Sequence, residues 1–248
     1  MSGNVLISAR GLKIRFGGVI AADGIDLDVF EGENLAIIGP NGAGKTTFLN
    51  MTTGYLRPQA GTVHFMGREI TALPPRTITK MGVARAFQIP QLFLDQTVIE
   101  NMMIAAAAQA GQMSPVKHLL DLPERKEMED LLDLVGVKSS ALRLAGELPE
   151  GQRKLVDIAL ALALKPKVLL MDEPTSGVAS GEKMGIMDIL VGALKATKVS
   201  SVFVEHDMEM VERYAHRVAV WSSGKIQFTG PPAEILSNAE VRARVIGI

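Results

Sequence analysis

Short apolar runs rich in valine and isoleucine recur along the chain, separated by glycine-marked turns and by stretches with a helical pattern. Such alternation is typical of βα units, in which strands form a sheet that helices cover. The pattern therefore predicts an α/β fold. Its candidate strands are residues 5–9, 25–30, 35–38, 62–65, 83–87, 168–171, 201–204, 218–221 and 225–228.

Two kinds of strand are distinguished by their patterning. Residues 25–29 alternate apolar and polar side chains, as expected for a strand with one solvent-exposed face. Residues 35–38 and 168–171 are apolar without interruption. Because a strand in the middle of a parallel sheet is covered on both faces, we expect these two runs to be central parallel strands.

The strand signal disappears between about residues 97 and 147, where alanine, leucine, methionine, glutamate and lysine dominate. These are good helix formers, so we expect a helical subdomain inserted into the sheet domain at 97–150. Within it we predict a loop near Ser114 and Pro115 and a helix over 123–135 that ends at Gly136. A further helix over 153–164 is apolar nearly all round, which predicts that it is buried.

Composition narrows the function classes. The 248 residues include 26 Lys and Arg against 27 Asp and Glu, a formal net charge of −1 that provides no long-range attraction to nucleic acid. The absence of cysteine excludes disulfides, thiolate nucleophiles and zinc–thiolate sites. Hydrophobic residues make up 47% of the chain, yet its apolar runs are shorter than the ~18 residues of a membrane-spanning helix. We expect about one large domain, with its apolar excess buried in the fold or against partners.

A phosphate-binding pattern follows the apolar run 35–38. It has glycines at its first and sixth positions and then lysine and threonine, in the stretch Gly39, Pro40, Asn41, Gly42, Ala43, Gly44, Lys45, Thr46 and Thr47. Glycines let backbone N–H groups converge on phosphate oxygens, lysine neutralises the β- and γ-phosphates, and a threonine hydroxyl ligates Mg²⁺. The alternative is a glycine-rich turn that only resembles the pattern. Its place between a strand and a helix favours nucleotide binding at the helix N-terminus.

An acidic pair, Asp172 and Glu173, ends the apolar run 168–171. At the carboxyl edge of a parallel sheet this pair would face the same crevice as the phosphate loop. Asp172 would then hold Mg²⁺ directly or through water, and Glu173 would polarise the attacking water. On its own, such a pair is usually a helix cap or a solvated turn. The phosphate loop makes the functional interpretation the better one.

With four further matches in the expected order, the sequence resembles the ATP-binding cassette (ABC) family from Leu6 to the C-terminus. Phe16 lies where the family stacks an aromatic ring on adenine. Gln88 matches the glutamine that contacts Mg²⁺ and water and reports to the membrane partner. His206 matches the histidine that contacts the γ-phosphate. The fourth match is the family signature, at Leu148, Pro149, Glu150, Gly151 and Gln152.

The resemblance implies that the chain binds ATP and Mg²⁺ and hydrolyses ATP. It implies Thr46, Gln88 and Asp172 as metal ligands, and Glu173, Gln88 and His206 as catalytic residues. The signature residues would bind the ATP of the opposite subunit in trans.

Three of these positions have plainer alternatives when they are judged from the residues alone. Without the family, a place in the core is the favoured interpretation of Phe16, and an ordinary loop contact is the usual role of a polar residue such as Gln88 after an apolar strand. His206, or Asp207 after it, is well placed to cap the next helix.

The chain departs from the family pattern at three positions. Pro149 and Glu150 stand where the signature usually has serine and glycine, and proline supplies neither a hydroxyl nor an N–H donor to phosphate. Ala179 replaces the usual Asp or Asn that makes polar contacts across the dimer. The phosphate loop, Glu173 and His206 are intact. This asymmetry suggests that the chain hydrolyses ATP at its own phosphate loop, using the signature of a different ATPase subunit, although a homodimer remains possible.

Residues 85–93 and 97–101, and the segment from Gly230 onward, look like the importer branch for branched-chain and hydrophobic amino acids. The resemblance implies one cassette over 1–248, an α/β P-loop NTPase with a mixed sheet core, an antiparallel β edge and the helical insertion. It implies a second ATPase subunit, transmembrane permeases, a solute-binding protein and a peripheral place at the cytoplasmic face of the inner membrane. Urea, amides and aromatic compounds are also solutes of this branch.

The helical subdomain and the segment 88–101 would form the permease docking surface. Exposed apolar side chains in that segment would be hard to explain in a monomer; they are Ile89, Leu92, Phe93 and Leu94. Other interpretations are the ATPase of a lipid or polysaccharide exporter, a soluble cassette protein of DNA repair or translation, and a nucleotide-sensing module without turnover.

Overall fold

The computed structural model describes residues 3–110 and 123–243. One of its two sheets has four antiparallel strands in the order β2-β1-β4-β5. The strands are β1 Val5–Phe16, β2 Val19–Phe30, β4 Ala60–Phe65 and β5 Arg68–Glu69.

The second sheet has six strands in the order β10-β9-β3-β8-β7-β6. Five of them are parallel, and β10 pairs antiparallel with β9 at the edge. This mixed sheet confirms the predicted fold class. Its strands are β3 Asn34–Ile38, β6 Val83–Ala86, β7 Val168–Asp172, β8 Ser200–Val204, β9 Arg217–Ser222 and β10 Lys225–Gly230.

Helices connect and cover these strands. In the described residues they are α1 Lys45–Thr52, α2 Pro75–Met81, α3 Val98–Ala110, α4 Arg125–Leu134, α5 Glu150–Ala163, α6 Ser180–Thr197, α7 Met208–Tyr214, α8 Pro232–Ser237 and α9 Ala239–Val241. Short 3₁₀ turns lie at Lys138–Ser140 and Ala145–Glu147. None of the helices in this part of the chain is long and apolar enough to cross a membrane.

Strands β3 and β7 are covered on both faces, as their uninterrupted apolar runs predict. Ala36 and Ile38 of β3 belong to one buried hydrophobic cluster, whereas Leu35 and Ile37 belong to another. Alternate residues of β7 divide between the same two clusters. Because successive side chains of a strand point to opposite faces, two apolar layers enclose the sheet.

Most differences between predicted and observed elements lie at element ends. Strands β1 and β2 are longer than the predicted strands 5–9 and 25–30, and they pair as an antiparallel hairpin that the sequence pattern did not predict. The pattern also did not predict β5, which has two exposed polar residues. The helix predicted over 153–164 begins earlier, at Glu150, because Pro149 precedes its first turn with an extended backbone that ends the preceding loop.

The helical stretch agrees with its prediction where it is described. Helix α4 ends before Gly136, whose φ of +71° is the left-handed conformation that glycine adopts easily. Between β6 and β7, the described residues contain only one isolated bridge, Thr97 to Leu144, outside the named strands. The loop predicted at Ser114 and Pro115 lies outside the described residues.

Candidate functional site

The predicted site residues are placed by the carboxyl ends of four neighbouring parallel strands. The phosphate loop follows β3, His206 follows β8 closely, Glu173 follows β7, and Gln88 follows β6 closely. Because parallel strands end at the same edge of a sheet, these side chains meet although they are far apart in sequence.

Two glycines allow the phosphate loop to pack tightly against its surroundings. Gly39 and Gly44 have φ values of +153° and +104°. A Cβ added at Gly39 would lie 2.2 Å from the Trp221 carbonyl oxygen, and one at Gly44 would lie 2.0 Å from the Ala21 carbonyl oxygen. Side chains at these positions would displace the loop, so both glycines are required by packing as well as by backbone conformation.

Lys45 is the first residue of α1, and its ammonium points back into the phosphate loop. Its Nζ donates hydrogen bonds to the carbonyl oxygens of Gly39 at 2.6 Å and Pro40 at 3.0 Å. Burial lowers the pKa of Lys45, and the nearby charges of Glu173 and Asp172 oppose that shift. The loop therefore presents a cation and a helix N-terminus to the same space, which favours phosphate.

A cleft of about 260 Å³ lies over the loop, and its lining includes residues 41–47, Phe16, Val19 and Glu173. The Phe16 side chain is 51% exposed, so the alternative of a core residue is wrong. An exposed ring at the edge of a phosphate site can stack on a nucleotide base.

Thr46 and Asp172 bring two hard oxygen ligands together. The Thr46 hydroxyl donates to Oδ1 of Asp172 at 3.3 Å, and the Asp172 carboxylate is buried. Among the described residues, no group of three or more His, Cys, Asp or Glu side chains forms a metal cluster. One hydroxyl and one carboxylate fit Mg²⁺, which completes its shell with water and substrate phosphates.

Glu173 contacts both of the other predicted catalytic residues. Gln88 Nε2 donates to its Oε2 at 2.7 Å, and His206 Nε2 lies 3.0 Å from its Oε1. Glu173 has a φ of +51°, an uncommon conformation for a residue with a side chain. Asp207 accepts from the N–H of Glu209 and caps α7, which leaves the His206 imidazole to face Glu173.

The signature residues lie outside the lining of the phosphate-loop cleft. Residues 148–152 are not among the described residues that line the phosphate-loop cleft. Pro149 occupies the cap position before α5, and the carboxylate of Glu150 pairs with Arg153 at 2.6 Å. Leu148 is buried, and Gln152 accepts from the Ser140 hydroxyl at 3.3 Å.

Sequence reasoning gave no role to Arg85, which lies in β6. Its buried guanidinium donates to Oδ2 of Asp172 at 3.2 Å and to Oδ1 of Asn50, and it lies 4.8 Å from the centre of the Phe87 ring. Arg85 therefore holds one oxygen of Asp172, while the other oxygen faces Thr46. An arginine within a predicted strand was the signal that could have indicated this role. A charged side chain that is buried with its strand requires a partner of opposite charge.

An open groove of about 220 Å³ lies beside the site, and its lining includes Arg85, Phe87, Phe93 and residues of α3 and α5. Ile89, Phe93 and Leu94 are exposed beside it, Ile89 by 73%. The expectation that Leu92 is exposed is wrong, because it is half-buried and packs on the larger hydrophobic cluster.

Comparisons with known proteins show the family of the chain. The family model described as ABC transporter matches residues 22–176. The chain is 33% identical to the high-affinity branched-chain amino acid transport ATP-binding protein LivG of Salmonella typhimurium over 98% of both chains. It is 32% identical to the corresponding protein BraF of Pseudomonas aeruginosa, again over 98% of both.

Solved structures give the same result. The crystal structure of an ABC transporter's ATP-binding cassette in its ADP conformation superposes with a TM-score of 0.87 at 32% identity, and it covers 98% of this chain and 99% of that one. A nucleotide-free cassette superposes with a TM-score of 0.84 at 32% identity, over 96% and 97% of the two chains.

Proposed function

This chain belongs to the ABC transporter family as an ATP-binding ATPase subunit, and from that premise we propose that it drives an importer of branched-chain amino acids or related amides. The contact of Glu173 with both Gln88 and His206 beside the phosphate loop carries the catalytic part of the proposal. The solute part rests on relatives such as LivG and BraF, whose names state branched-chain amino acid transport.

In the proposed reaction, Lys45 and the N-terminus of α1 bind the phosphates of ATP, and Phe16 stacks on adenine. Glu173 accepts a proton from a water molecule whose oxygen attacks the γ-phosphorus. The bond from the γ-phosphorus to its bridging oxygen breaks and ADP leaves. Gln88 and His206 hold the Glu173 carboxylate in the orientation that this proton transfer needs.

Thr46 and Asp172 would hold Mg²⁺, with Gln88 as a third ligand through its amide oxygen. The ion supplies charge neutralisation at the β- and γ-phosphates. Arg85 occupies the second carboxylate oxygen of Asp172 and so keeps the first one turned toward Thr46.

The partner of the phosphate loop is proposed to be the signature of a second, different ATPase subunit. Pro149 offers no N–H or hydroxyl to a phosphate, and Ala179 offers no polar side chain across the dimer. The purified chain alone is therefore expected to hydrolyse ATP slowly and without cooperativity. Fast cooperative hydrolysis by the lone chain would argue for a homodimer.

We propose that transmembrane permeases dock on the exposed residues Ile89, Phe93 and Leu94 and in the adjoining groove. Residues 97–150 would act as the inserted helical subdomain of a single cassette, 1–248. The chain would then work at the cytoplasmic face of the inner membrane without entering it, and a solute-binding protein would deliver the solute from the other side.

Uptake by the assembled transporter tests the function. Vesicles containing the chain, its partner ATPase, the permeases and the solute-binding protein should accumulate labelled leucine when ATP is present, and unlabelled isoleucine or valine should compete. Labelled urea and a simple aliphatic amide, tested in parallel, separate the solutes of this branch. Vesicles without ATP serve as the control. ATP-driven export, or failure to accumulate any of these solutes, would contradict the proposal.

A further inference from the structure

Two charged side chains are buried in α5, which is otherwise apolar over much of its length. Lys154 is 3% exposed and Asp157 is 8% exposed, and they stand three residues apart, so they lie on the same face of the helix. Burying a charge is unfavourable unless hydrogen-bonding partners replace water. The partners of these two residues belong to the active site.

The Lys154 ammonium connects three segments. It donates hydrogen bonds to the carbonyl oxygens of Gln88 at 3.0 Å and Glu173 at 3.3 Å, and it lies 3.4 Å from the Ser176 hydroxyl. An ammonium has three N–H donors, so this set matches its full capacity. Lys154 thus binds the backbone of two predicted catalytic residues rather than their side chains.

The backbone turns sharply at Glu173, and contacts from other segments hold it there. Its φ of +51° is a left-handed conformation that costs about 1 kcal/mol or more for a residue with a Cβ. The N–H of Glu173 donates to the Val204 carbonyl at 3.1 Å, and the Glu173 carbonyl accepts both from the N–H of Ser176 at 3.1 Å and from Lys154 at 3.3 Å. Contacts from β8 and α5 therefore hold both backbone groups of the turn.

Asp157 binds the same loop as Lys154. Its carboxylate accepts from the N–H of Phe87 at 3.2 Å and of Gln91 at 3.3 Å. We call residues 87–91 the glutamine segment. Lys154 holds a carbonyl near the segment's start, and Asp157 holds an N–H at each of its ends. Hydrogen bonds to charged groups are about twice as strong as neutral ones.

We propose that Lys154 and Asp157 are positioning residues that clamp the glutamine segment and the Glu173 turn to α5, so that the three move as one unit. Helix α5 begins within the signature, and the glutamine segment carries Ile89 of the docking surface. A displacement at either surface would then reach Gln88 and the Glu173 carboxylate through the clamp. The proposal rests on the chain's ATPase activity and is independent of the solute.

A spin label tests the clamp without requiring activity. The chain has no cysteine, so an Ile89→Cys substitution takes a single nitroxide on an exposed position of the glutamine segment. In the full-length chain, Lys154→Met should raise the mobile fraction of the electron paramagnetic resonance spectrum at least about twofold, because it removes the donor to Gln88. Lys195→Met, at an exposed lysine of α6, is the matched control and should leave the spectrum unchanged.

Kinetics in the assembled transporter, with Ile89 restored, supply the second readout. For Lys154→Met we expect kcat to fall at least about tenfold while KM for ATP changes less than about threefold, because the phosphate loop is untouched. Asp157→Asn should change the label spectrum and kcat in the same directions as Lys154→Met, but by smaller amounts. If Lys154→Met does not fold, the Asp157→Asn variant tests the clamp in its place. Reduced kcat with an unchanged label spectrum, or no change in either readout, overturns the clamp. An inactive wild-type transporter would refute the proposed function and leave the spectroscopic result standing.

Discussion

The phosphate loop and the signature belong to one chain but differ in how completely they are built. In the phosphate loop, Gly39 and Gly44 pack against backbone atoms, and Lys45 points into the cradle that they form. In the signature, Pro149 has no N–H and the Glu150 carboxylate is paired with Arg153. The phosphate loop thus has its full set of donors to a phosphate, whereas the signature has fewer.

In the proposed pairing with a second ATPase subunit, the two surfaces would serve different ATP molecules. Among the described residues, the lining of the phosphate-loop cleft includes Glu173 and excludes residues 148–152. In that pairing the chain would keep its own half of an active site intact, whereas the half that it lends to the partner would have changed.

Replacing the proposed general base should have the largest effect. We expect Glu173→Gln to lower kcat of the assembled transporter by about 10²- to 10⁴-fold and to leave ATP binding within a few-fold, because the amide cannot accept the proton of water. Phosphate release and ATP affinity are the measurements. Glu209→Gln, an exposed carboxylate on α7, is the control. Retained turnover in Glu173→Gln would show that the chain's own half does not supply the base.

Adding a methyl group at Gly44 should disrupt the packing of the phosphate loop. Gly44→Ala places a Cβ against the Ala21 carbonyl at a φ of +104°, so we expect a loss of about 2 kcal/mol in the free energy of unfolding and at least about tenfold weaker ATP binding. Urea unfolding and nucleotide titration measure the two effects. Gly185→Ala in α6, where a Cβ meets open space, should be neutral or slightly stabilising. Equal effects of the two substitutions would contradict the packing argument.

Restoring the usual signature should reduce the difference between the two halves. We expect the double substitution Pro149→Ser and Glu150→Gly to raise ATP hydrolysis by the lone chain about tenfold, because position 149 gains a hydroxyl and an N–H donor and position 150 loses a negative charge that would repel the ATP of a second copy. Serine is also a favourable helix cap before α5. The same change in a Glu173→Gln background is the control. Unchanged hydrolysis at concentrations where the chain dimerises would mean that the altered signature does not limit the lone chain.

The smallest effect concerns pH. Burial raises the pKa of Asp157 from 3.8 to about 6, so the folded chain keeps a proton that the unfolded chain releases. Stability conferred by the neutral carboxyl is present at low pH and is lost as pH rises toward about 6. Relative to the wild type, Asp157→Asn should therefore gain about 1 kcal/mol in the free energy of unfolding between pH 5 and pH 8.

Urea unfolding of both proteins at the two pH values measures this difference. Asp95→Asn, at an exposed carboxylate, should show no such gain. If the difference in the free energy of unfolding between Asp157→Asn and the wild type did not depend on pH, burial would not raise the pKa of the Asp157 carboxyl.

Elements with a strong local pattern were predictable. The uninterrupted apolar runs of β3 and β7 required apolar cover on both faces, and the structure provides it. Strand β5 was not predicted because two exposed polar residues carry no periodicity. Leu92 was misjudged because a loop has no regular alternation that tells a residue packed against the core from one that faces solvent.

Chemistry that depends on neighbouring positions along the chain was predictable from the order of the amino acids. The glycines, Lys45 and Thr46 of the phosphate loop lie within eight positions of each other, and their spacing alone predicts a phosphate cradle. Asp172 and Glu173 were identified in the same way, from their place after an apolar run.

Contacts between residues that are distant in sequence became known only from the folded chain. The Gln88–Glu173 contact joins residues 85 positions apart, and the Arg85–Asp172 pair joins residues 87 positions apart. Lys154 reaches Gln88 across 66 positions. No local pattern encodes such pairs, because they arise when parallel strands end at a common edge and a buried charge must find its partners there.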